Sequence, residues 1–261
     1  MKQQMIVLEE VDSTSRWLAA EADRLDSGVA VRAVRQTAGR GQRGNSWESE
    51  PGRNVTMSVL LRPEGIEARE QFALSEAVAL ATVEVLRRYL PEEEIAVKWP
   101  NDIYIGDRKV CGTLIENQLS GREITRSIAG IGLNVNQKVF LSDAPNPVSM
   151  AQTAGREFAV EQIAEELRHE VVKAAGEAST AEGRRAIHTR FLANLWRRAG
   201  YHPYRDTATG ATFEAAIETI DPDGMLTLRL PEGILRRYAF KEVAALLPDK
   251  SAAAEQAAVE K

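Results

Sequence analysis

The residues with the clearest chemical potential form a loop of glycines and arginines at positions 36–47. The loop reads Gln-Thr-Ala-Gly-Arg-Gly-Gln-Arg-Gly-Asn-Ser-Trp. Glycines let the backbone approach a ligand and expose its N–H groups, while Arg40 and Arg43 add fixed positive charge. The loop has no Gly-Lys-Ser/Thr of a Walker A motif, and it leads into a strand, unlike a dinucleotide fingerprint. It therefore indicates an anion-binding loop for a ligand such as a nucleotide, with an exposed arginine-rich surface loop as the open alternative.

Three shorter motifs place polar or small residues within apolar strands. Positions 98–102 read Lys-Trp-Pro-Asn-Asp, 109–112 read Lys-Val-Cys-Gly, and 130–136 read Gly-Ile-Gly-Leu-Asn-Val-Asn. A lysine beside a bound anion can stabilise negative charge developing at phosphorus. A glycine inside a strand often marks a place where a ligand touches the backbone. Each motif alone is also compatible with exposed lysines and ordinary packing, so the motifs carry weight only together.

Length, charge and cysteine content exclude several classes of protein. A chain of 261 residues can form one large domain and a small one. The net charge of −5 argues against a general binder of DNA or membrane surfaces, because both are polyanionic. The single cysteine excludes an intramolecular disulfide and favours a reducing compartment. We find neither a signal-peptide pattern nor an apolar run approaching about 20 residues, so we expect a cytoplasmic protein.

Hydrophobic periodicity predicts that strands and helices alternate along the first part of the chain. Strands are predicted at 5–11, 29–36, 54–61, 95–99, 103–105, 109–118 and 124–135. Helices are predicted at 16–24, 67–90, 160–175 and 184–199, the last ending at Gly200. Beyond Gly200 the period changes to two, which predicts strands at 212–220, 225–230 and 235–240.

These elements predict an α/β domain with a mixed sheet, followed by a small β domain. We place the first domain at 1–199 and the small, barrel-like β domain at 200–248. Residues 249–261 are rich in Ala and Glu without an apolar face, which predicts a disordered tail.

In this order, five motifs resemble those of the biotin protein ligase family. They are Asp-Ser-Thr-Ser at 12–15 and the stretches 39–47, 98–102, 109–112 and 130–136. The resemblance covers most of the chain, and it implies an α+β fold. In that fold a biotin/lipoate-ligase-type catalytic domain, with a mixed, largely antiparallel sheet flanked by helices, is followed by a small C-terminal SH3-like β-barrel. It also implies a reaction in which biotin and Mg-ATP give biotinyl-5'-AMP and pyrophosphate. Biotin then passes to a lysine of a biotin carboxyl carrier protein. ATP, Mg2+ and biotin would be substrates, with no tightly bound prosthetic group.

The resemblance also implies roles for individual residues. Lys109 and Arg40 would be catalytic, with Lys109 contacting carboxylate and phosphate oxygens. Biotin would be bound by Ser13, Thr14, Ser15, Gln36, Gly39, Arg40, Gly41, Gln42, Lys109 and Gly112. The nucleotide would be bound by Arg43, Trp47, Lys98, Asn101 and Asn134. Asp102 would lie near the metal of Mg-ATP or its waters.

The chain departs from the family pattern at two positions. Gln42 stands where the family has its second loop arginine, with Arg43 one position later, and Ser15 replaces an asparagine. The family arginine helps to retain the adenylate. Either Arg43 takes over this role, or this chain retains the adenylate differently from the family. Because the first motif begins at Asp12, we expect no preceding DNA-binding domain and no operator binding. Homodimers occur among relatives, and an exposed sheet edge would allow one here.

Rival functions come from other reaction classes. A lipoyl or octanoyl transferase would use a cysteine nucleophile without ATP, and Cys111 is the only candidate. A lone cysteine in an apolar strand is usually a packing residue, and no histidine lies nearby in sequence to act as its base. A lipoate ligase and a module that only sequesters biotin or a nucleotide also stay open. His169, His188 and His202 share no metal-ligand spacing.

Overall fold

The computed structural model describes residues 4–142 and 144–247, which divide into two compact units. The first ends at Trp196 and contains a seven-stranded sheet. Its strands are β1 (Met5–Val11), β2 (Ala30–Gln36), β3 (Val55–Leu61), β4 (Ile95–Lys98), β5 (Asp102–Ile105), β6 (Arg108–Ser120) and β7 (Glu123–Leu133). They lie in the order β1-β2-β3-β7-β6-β5-β4. The β1–β2 pair is parallel and the other pairs are antiparallel, which makes the sheet mixed.

Helices lie on both faces of this sheet. They are α1 (Thr14–Glu21), α2 (Phe72–Tyr89), α3 (Met150–Ala154), α4 (Val160–Ala178) and α5 (Ala181–Ala193). On one face, Leu18 of α1 packs with Val31 and Leu60. Arg32 follows Val31 and therefore points to the opposite face, where it pairs with Glu161 of α4. The helices α2, α4 and α5 pack together on that second face, so the first face has room for a site beyond the N-terminus of α1.

The second unit begins at Arg197 and is a five-stranded antiparallel sheet. Its strands are β8 (His202–Asp206), β9 (Thr212–Ile220), β10 (Leu226–Arg229), β11 (Leu235–Tyr238) and β12 (Val243–Ala245), in the order β11-β10-β9-β8-β12. The half-buried ring of Phe213 stacks with the buried rings of Tyr204 and Tyr238. Gly224 and Gly233 adopt positive φ in the turns that join β9 to β10 and β10 to β11. The predicted tail at 249–261 lies outside the described residues.

The prediction of a helix from 184 to 199 is wrong at its end. The helix α5 stops at Ala193, and Leu195 forms a parallel bridge with Val97 of β4. The backbone N–H of Trp196 donates to the carbonyl of Val97, because the edge of β4 supplies acceptors that compete with another helical turn. The short elements α3, β8 and β12 were not predicted. No helix among the described residues has the length and apolarity needed to cross a membrane.

Candidate active site

Five residues form a row across the first face of the large sheet. Pairing registers connect, strand by strand, Thr56, Gly132, Gly112, Asp102 and Lys98. Directly paired residues project from the same face, so the row has polar side chains at its ends and two glycines in the middle. With neighbouring strands about 4.8 Å apart, the four steps span roughly 19 Å. We call this row the glycine groove, since its centre has no side chains.

The indole of Trp47 lies on the floor of the glycine groove. A Cβ at Gly132 would be 2.3 Å from Trp47 Cε2, and a Cβ at Gly112 would be 3.1 Å from Trp47 Cζ3. The indole Nε1 is buried and has no hydrogen-bond partner among the described residues. The Trp47 backbone N–H donates to the Gly39 carbonyl at 3.0 Å, and a Cβ at Gly39 would approach the Trp47 carbonyl oxygen to 2.6 Å. A side chain at Gly39 or Gly132 would therefore displace Trp47, whereas one at Gly112 would make only a tight contact with it.

A cluster of hydroxyl and amide groups lies where β1 and β2 end. The parallel register places Val11 beside Gln36, so the segment that starts α1 meets the end of β2. Gln36 Oε1 accepts hydrogen bonds from the Thr14 backbone N–H at 2.8 Å and from Thr14 Oγ1 at 3.1 Å. The hydroxyls of Thr14 and Ser58 are 2.8 Å apart, and those of Ser13 and Ser15 are 3.0 Å apart.

We call these five residues the polar cluster; they are Ser13, Thr14, Ser15, Gln36 and Ser58. All but Gln36 are buried. The Thr14 backbone N–H can only donate, so it fixes the Gln36 oxygen towards Thr14 and turns the Gln36 amide NH2 the other way. That NH2 lies near Gly39, where a Cβ would be 3.3 Å from it. The cluster therefore offers hydrogen-bond donors beside the glycine loop.

Lys109 reaches the glycine groove from the start of β6. Its Nζ is 2.7 Å from Asp102 Oδ1, and it lies 5.7 Å from the centroid of the Trp47 ring. Its backbone is fixed on both sides, because the Lys109 N–H donates to Asn146 and its carbonyl accepts from Val148. The Asp102 carboxylate thus holds the ammonium group over the groove, where a bound anion could also contact it.

Arg40, another charged residue of the loop, stands further along the same face. Arg40 pairs with Glu116 of β6, its Nη2 lying 3.0 Å from Glu116 Oε1, with both side chains about one third exposed. Gln42 begins a short 3-10 turn at Gln42–Gly44, and the Gly41 N–H donates to the Asn45 carbonyl. The side chain of Arg43 lies outside the described part of the chain. The question of whether Arg43 replaces the missing loop arginine thus stays a prediction.

Of the residues predicted to bind the nucleotide, two already use much of their polar capacity inside the protein. Lys98 Nζ donates to the Tyr104 hydroxyl at 3.0 Å and lies over the Tyr104 and Trp196 rings. The Asn101 amide donates to the Thr113 carbonyl, and the Thr113 hydroxyl donates back to the Asn101 carbonyl at 3.2 Å. Asn101 therefore stabilises the local structure through its hydrogen bonds with Thr113.

Asn134 differs from Lys98 and Asn101 because half of its amide group has no partner. Its Nδ2 donates to the Val148 carbonyl at 3.1 Å, whereas its buried Oδ1 accepts nothing from the described residues. Asn134 follows Leu133 at the end of β7, two residues beyond Gly132 of the groove. A buried oxygen without a donor is costly, so a ligand that donates a hydrogen bond here would be favoured.

Cys111 lies on the opposite face from the groove. It pairs with Leu133 in the sheet and is fully buried, and burial raises the pKa of its thiol well above the ordinary value. A thiol in this position is not a usable nucleophile, because the thiolate is the reactive form.

Sequence reasoning missed a second polar network next to the groove. Glu48 accepts hydrogen bonds from the backbone N–H groups of Leu141 and Ser142 and from the side chain of Gln137. Gln137 in turn accepts a bond from the buried Asn54 amide at 2.6 Å. We call these five residues the Glu48 network. The one sequence signal for this network was the presence of polar residues at positions next to strands. A related signal, a hydroxyl inside an apolar strand, could have indicated Ser58.

Comparison with known proteins supplies the family and confirms the fold. Residues 7–134 match the Biotin/lipoate A/B protein ligase family. The biotin--[acetyl-CoA-carboxylase] ligase of Paracoccus denitrificans is 32% identical over 232 residues, covering 87% of this chain and 95% of that protein. The structure of a biotin protein ligase from Aquifex aeolicus in complex with biotin and ATP matches with a TM-score of 0.76 over 95% of this chain and 100% of the other. At 22% identity this likeness shows the fold alone, and it confirms the predicted α+β class.

Other relatives are longer proteins. The bifunctional ligase/repressor BirA of Escherichia coli is 38% identical over 129 residues, which cover 49% of this chain but only 40% of that protein. The match to BirA of Bacillus subtilis likewise covers only 46% of that protein.

Proposed function

This chain belongs to the biotin protein ligases, and we propose that it activates biotin with ATP and transfers it to a lysine of a carrier domain. The observation that carries this proposal is the glycine groove, with the polar cluster on neighbouring strands at one end and Lys109 at the other. A substrate with a polar head, an apolar tail and a terminal carboxylate fits such an arrangement in one orientation.

The polar cluster would bind the ureido head of biotin. A cyclic urea has one carbonyl acceptor and two N–H donors. The outward NH2 of Gln36 suits the carbonyl, and the hydroxyls of Ser13 and Ser15 suit the N–H groups. Ser15 stands where the family pattern has asparagine, so one of these contacts would differ in length and chemistry.

The middle of the groove would take the apolar tail. Gly112 and Gly132 let the Trp47 indole lie directly on the sheet, where it supplies an apolar surface against which a methylene chain can pack. Gly39, Gly41 and the loop around them would lie along the tail and the phosphate. The tail would then end with its carboxylate near Lys109.

In the first reaction step, a biotin carboxylate oxygen attacks the α-phosphorus of ATP. The new C–O–P bond forms as the bond from that phosphorus to the pyrophosphate oxygen breaks, giving biotinyl-5'-AMP and pyrophosphate. Both reactants are anionic, so Lys109 and Arg40 would offset their repulsion and stabilise charge on the phosphoryl oxygens. Asp102 holds Lys109 in place. We propose that Mg2+ enters with ATP as part of the substrate and that Asp102 lies near it.

Nucleotide binding would use Asn134 together with Trp47, Lys98, Asn101 and Arg43. Asn134 Oδ1 is the best-supported contact, since it is buried and lacks a donor among the described residues. An exocyclic amine or a ribose hydroxyl could supply that donor.

In the second step, a lysine amine of the carrier attacks the carbonyl carbon of the mixed anhydride. The amide bond forms as AMP leaves with the bonding electron pair, and the amine loses its proton to solvent. We propose a biotin carboxyl carrier protein or domain as acceptor, in the cytoplasm. Homodimer formation stays a prediction.

The experiment that tests the function is release of pyrophosphate from Mg-ATP with biotin, lipoate or octanoate supplied in turn. Biotin alone should drive release and give biotinyl-5'-AMP. Release driven by lipoate would instead indicate a lipoate ligase. Acyl transfer without ATP would indicate a transferase, which the buried position of Cys111 disfavours.

A further inference from the structure

Glu48 receives an unusual number of hydrogen bonds for a partly exposed carboxylate. Its Oε1 is 2.9 Å from the Leu141 backbone N and 3.0 Å from Gln137 Nε2. Its Oε2 is 2.6 Å from the Ser142 backbone N. Burial raises the pKa of this carboxyl, but the hydrogen bonds outweigh that effect and leave the pKa below its ordinary value. Glu48 is therefore charged at neutral pH, and charge-assisted bonds of this kind are the strong ones.

The Glu48 network is continuous with buried structure on both sides. Gln137 is 1% exposed, and its Oε1 accepts from the Glu50 backbone N–H at 3.0 Å as well as from Asn54. Asn54 Oδ1 accepts from the Val135 backbone N–H at 2.9 Å. The segment that leaves the glycine loop is thus joined to the segment that follows β7 by side chains whose polar atoms are nearly all used.

The two joined segments carry different parts of the proposed site. Glu48 follows Trp47, whose indole lies on Gly132 beside the proposed path of the biotin tail. Gln137 lies three positions after Asn134, the best-supported nucleotide contact. Because both segments are held by one carboxylate, a ligand that fixes either of them lowers the cost of fixing the other.

We propose that Glu48 is a positioning residue that couples the biotin side of the site to its nucleotide side. This inference rests on the proposed function and adds to it a cause of cooperative binding of the two substrates. Glu48 touches neither substrate in this arrangement; it acts through Trp47 and through the segment at 134–142.

The test compares biotin affinity with and without a nucleotide that cannot react. Calorimetric titration of biotin would be done alone and with Mg2+ and the α,β-methylene analogue of ATP. In the wild-type protein the analogue should tighten biotin binding by at least about fivefold, the low end of usual coupling. In Glu48→Gln the amide turns an N–H donor towards other donors, so coupling should fall below about twofold.

Glu50→Gln is the matched control. It removes the same charge as Glu48→Gln, but from an exposed side chain two positions further along the chain. The Glu50 backbone N–H, which donates to Gln137, stays in place. It should keep the wild-type coupling. Ser142→Pro is a second variant, because it removes one donor N–H while Glu48 stays intact, and it should also lose coupling.

Equal coupling in the wild-type protein and in folded Glu48→Gln would overturn the inference, even if biotin binding alone were weaker. An uncoupled wild-type protein would overturn it too. These outcomes are distinct from failure of the proposed function, which would appear as a wild-type protein that forms no biotinyl-5'-AMP from biotin and Mg-ATP.

Discussion

Replacing Gly132 by alanine tests whether activity requires the Trp47 indole to lie on the floor of the glycine groove. The added methyl carbon would lie 2.3 Å from Cε2 and 2.6 Å from Cζ2 of the indole. Carbon atoms in contact are separated by about 3.5–4.0 Å, so the indole must retreat by more than about 1 Å. Gly132 does not have a positive φ and lies within β7, so alanine suits its backbone.

The expected effect is a loss of activity without a loss of fold. A displacement of about 1 Å in a positioning group costs about a hundredfold in rate, so adenylation by Gly132→Ala should fall by about that factor. The assay is pyrophosphate release with saturating biotin and Mg-ATP, and the thermal midpoint of unfolding checks the fold. Tryptophan fluorescence compared with a Trp47→Phe background reports the indole's displacement.

Gly130→Ala is the matched control on the same strand and the same face. Its methyl carbon would meet the Leu114 carbonyl at 3.4 Å and Ser58 Oγ at 3.7 Å, which are ordinary contacts. This variant should keep most of its activity. If Gly132→Ala were as active as Gly130→Ala, the indole would not occupy the groove floor during catalysis, and the reasoning from the glycine groove would fail.

Three other predictions follow from the site. Lys109→Ala should slow pyrophosphate release by about a hundred- to a thousandfold, the cost of losing one charge-stabilising group, whereas Cys111→Ala on the opposite face should change it little. Asn134→Ala should raise the KM for ATP about tenfold in steady-state assays, because one buried hydrogen bond contributes about 1–1.5 kcal/mol. The lowered pKa of Glu48 stabilises the folded protein above the ordinary value of 4.5. That contribution is lost as the pH falls through the folded-state pKa. The difference in thermal midpoint between the wild-type protein and Glu48→Gln should therefore close in acid. A difference that persisted there would contradict the role given to its charge.

Most of the large sheet was predictable because its strands are apolar runs bounded by turn residues. The end of α5 was not, because Leu195 continues the four-residue apolar spacing of Ile187 and Phe191 in either conformation. What decides the outcome is the edge of β4, where Val97 supplies both a donor and an acceptor to the chain at 194–196. Local hydrophobic periodicity cannot predict a long-range hydrogen bond of this kind.

The site was predictable where a residue is out of place in its own segment. Gly112, Gly132 and Lys109 stand out because glycine and lysine are unusual within buried strands. The row that they form was not predictable, because it depends on the register of five strands. Ser58 and Glu48 belong to none of the motifs, and the tertiary structure is needed to show which residues they contact.

The proposed binding of two anionic substrates by an acidic chain requires that the cations be in place before the substrates arrive. The described residues meet this requirement with carboxylates: Lys109 is held by Asp102 and Arg40 by Glu116. Each pair is partly exposed, so its net contribution to stability is small and its partner can be exchanged at little cost. When a phosphate oxygen joins or replaces the carboxylate, the cation is already oriented, which is the condition under which charge stabilises a transition state most effectively. Removing Glu116 should therefore leave folding nearly unchanged while allowing Arg40 to move, so a slower adenylation rate in Glu116→Gln would be a sign of lost orientation. An unchanged rate would mean that the substrate alone orients Arg40.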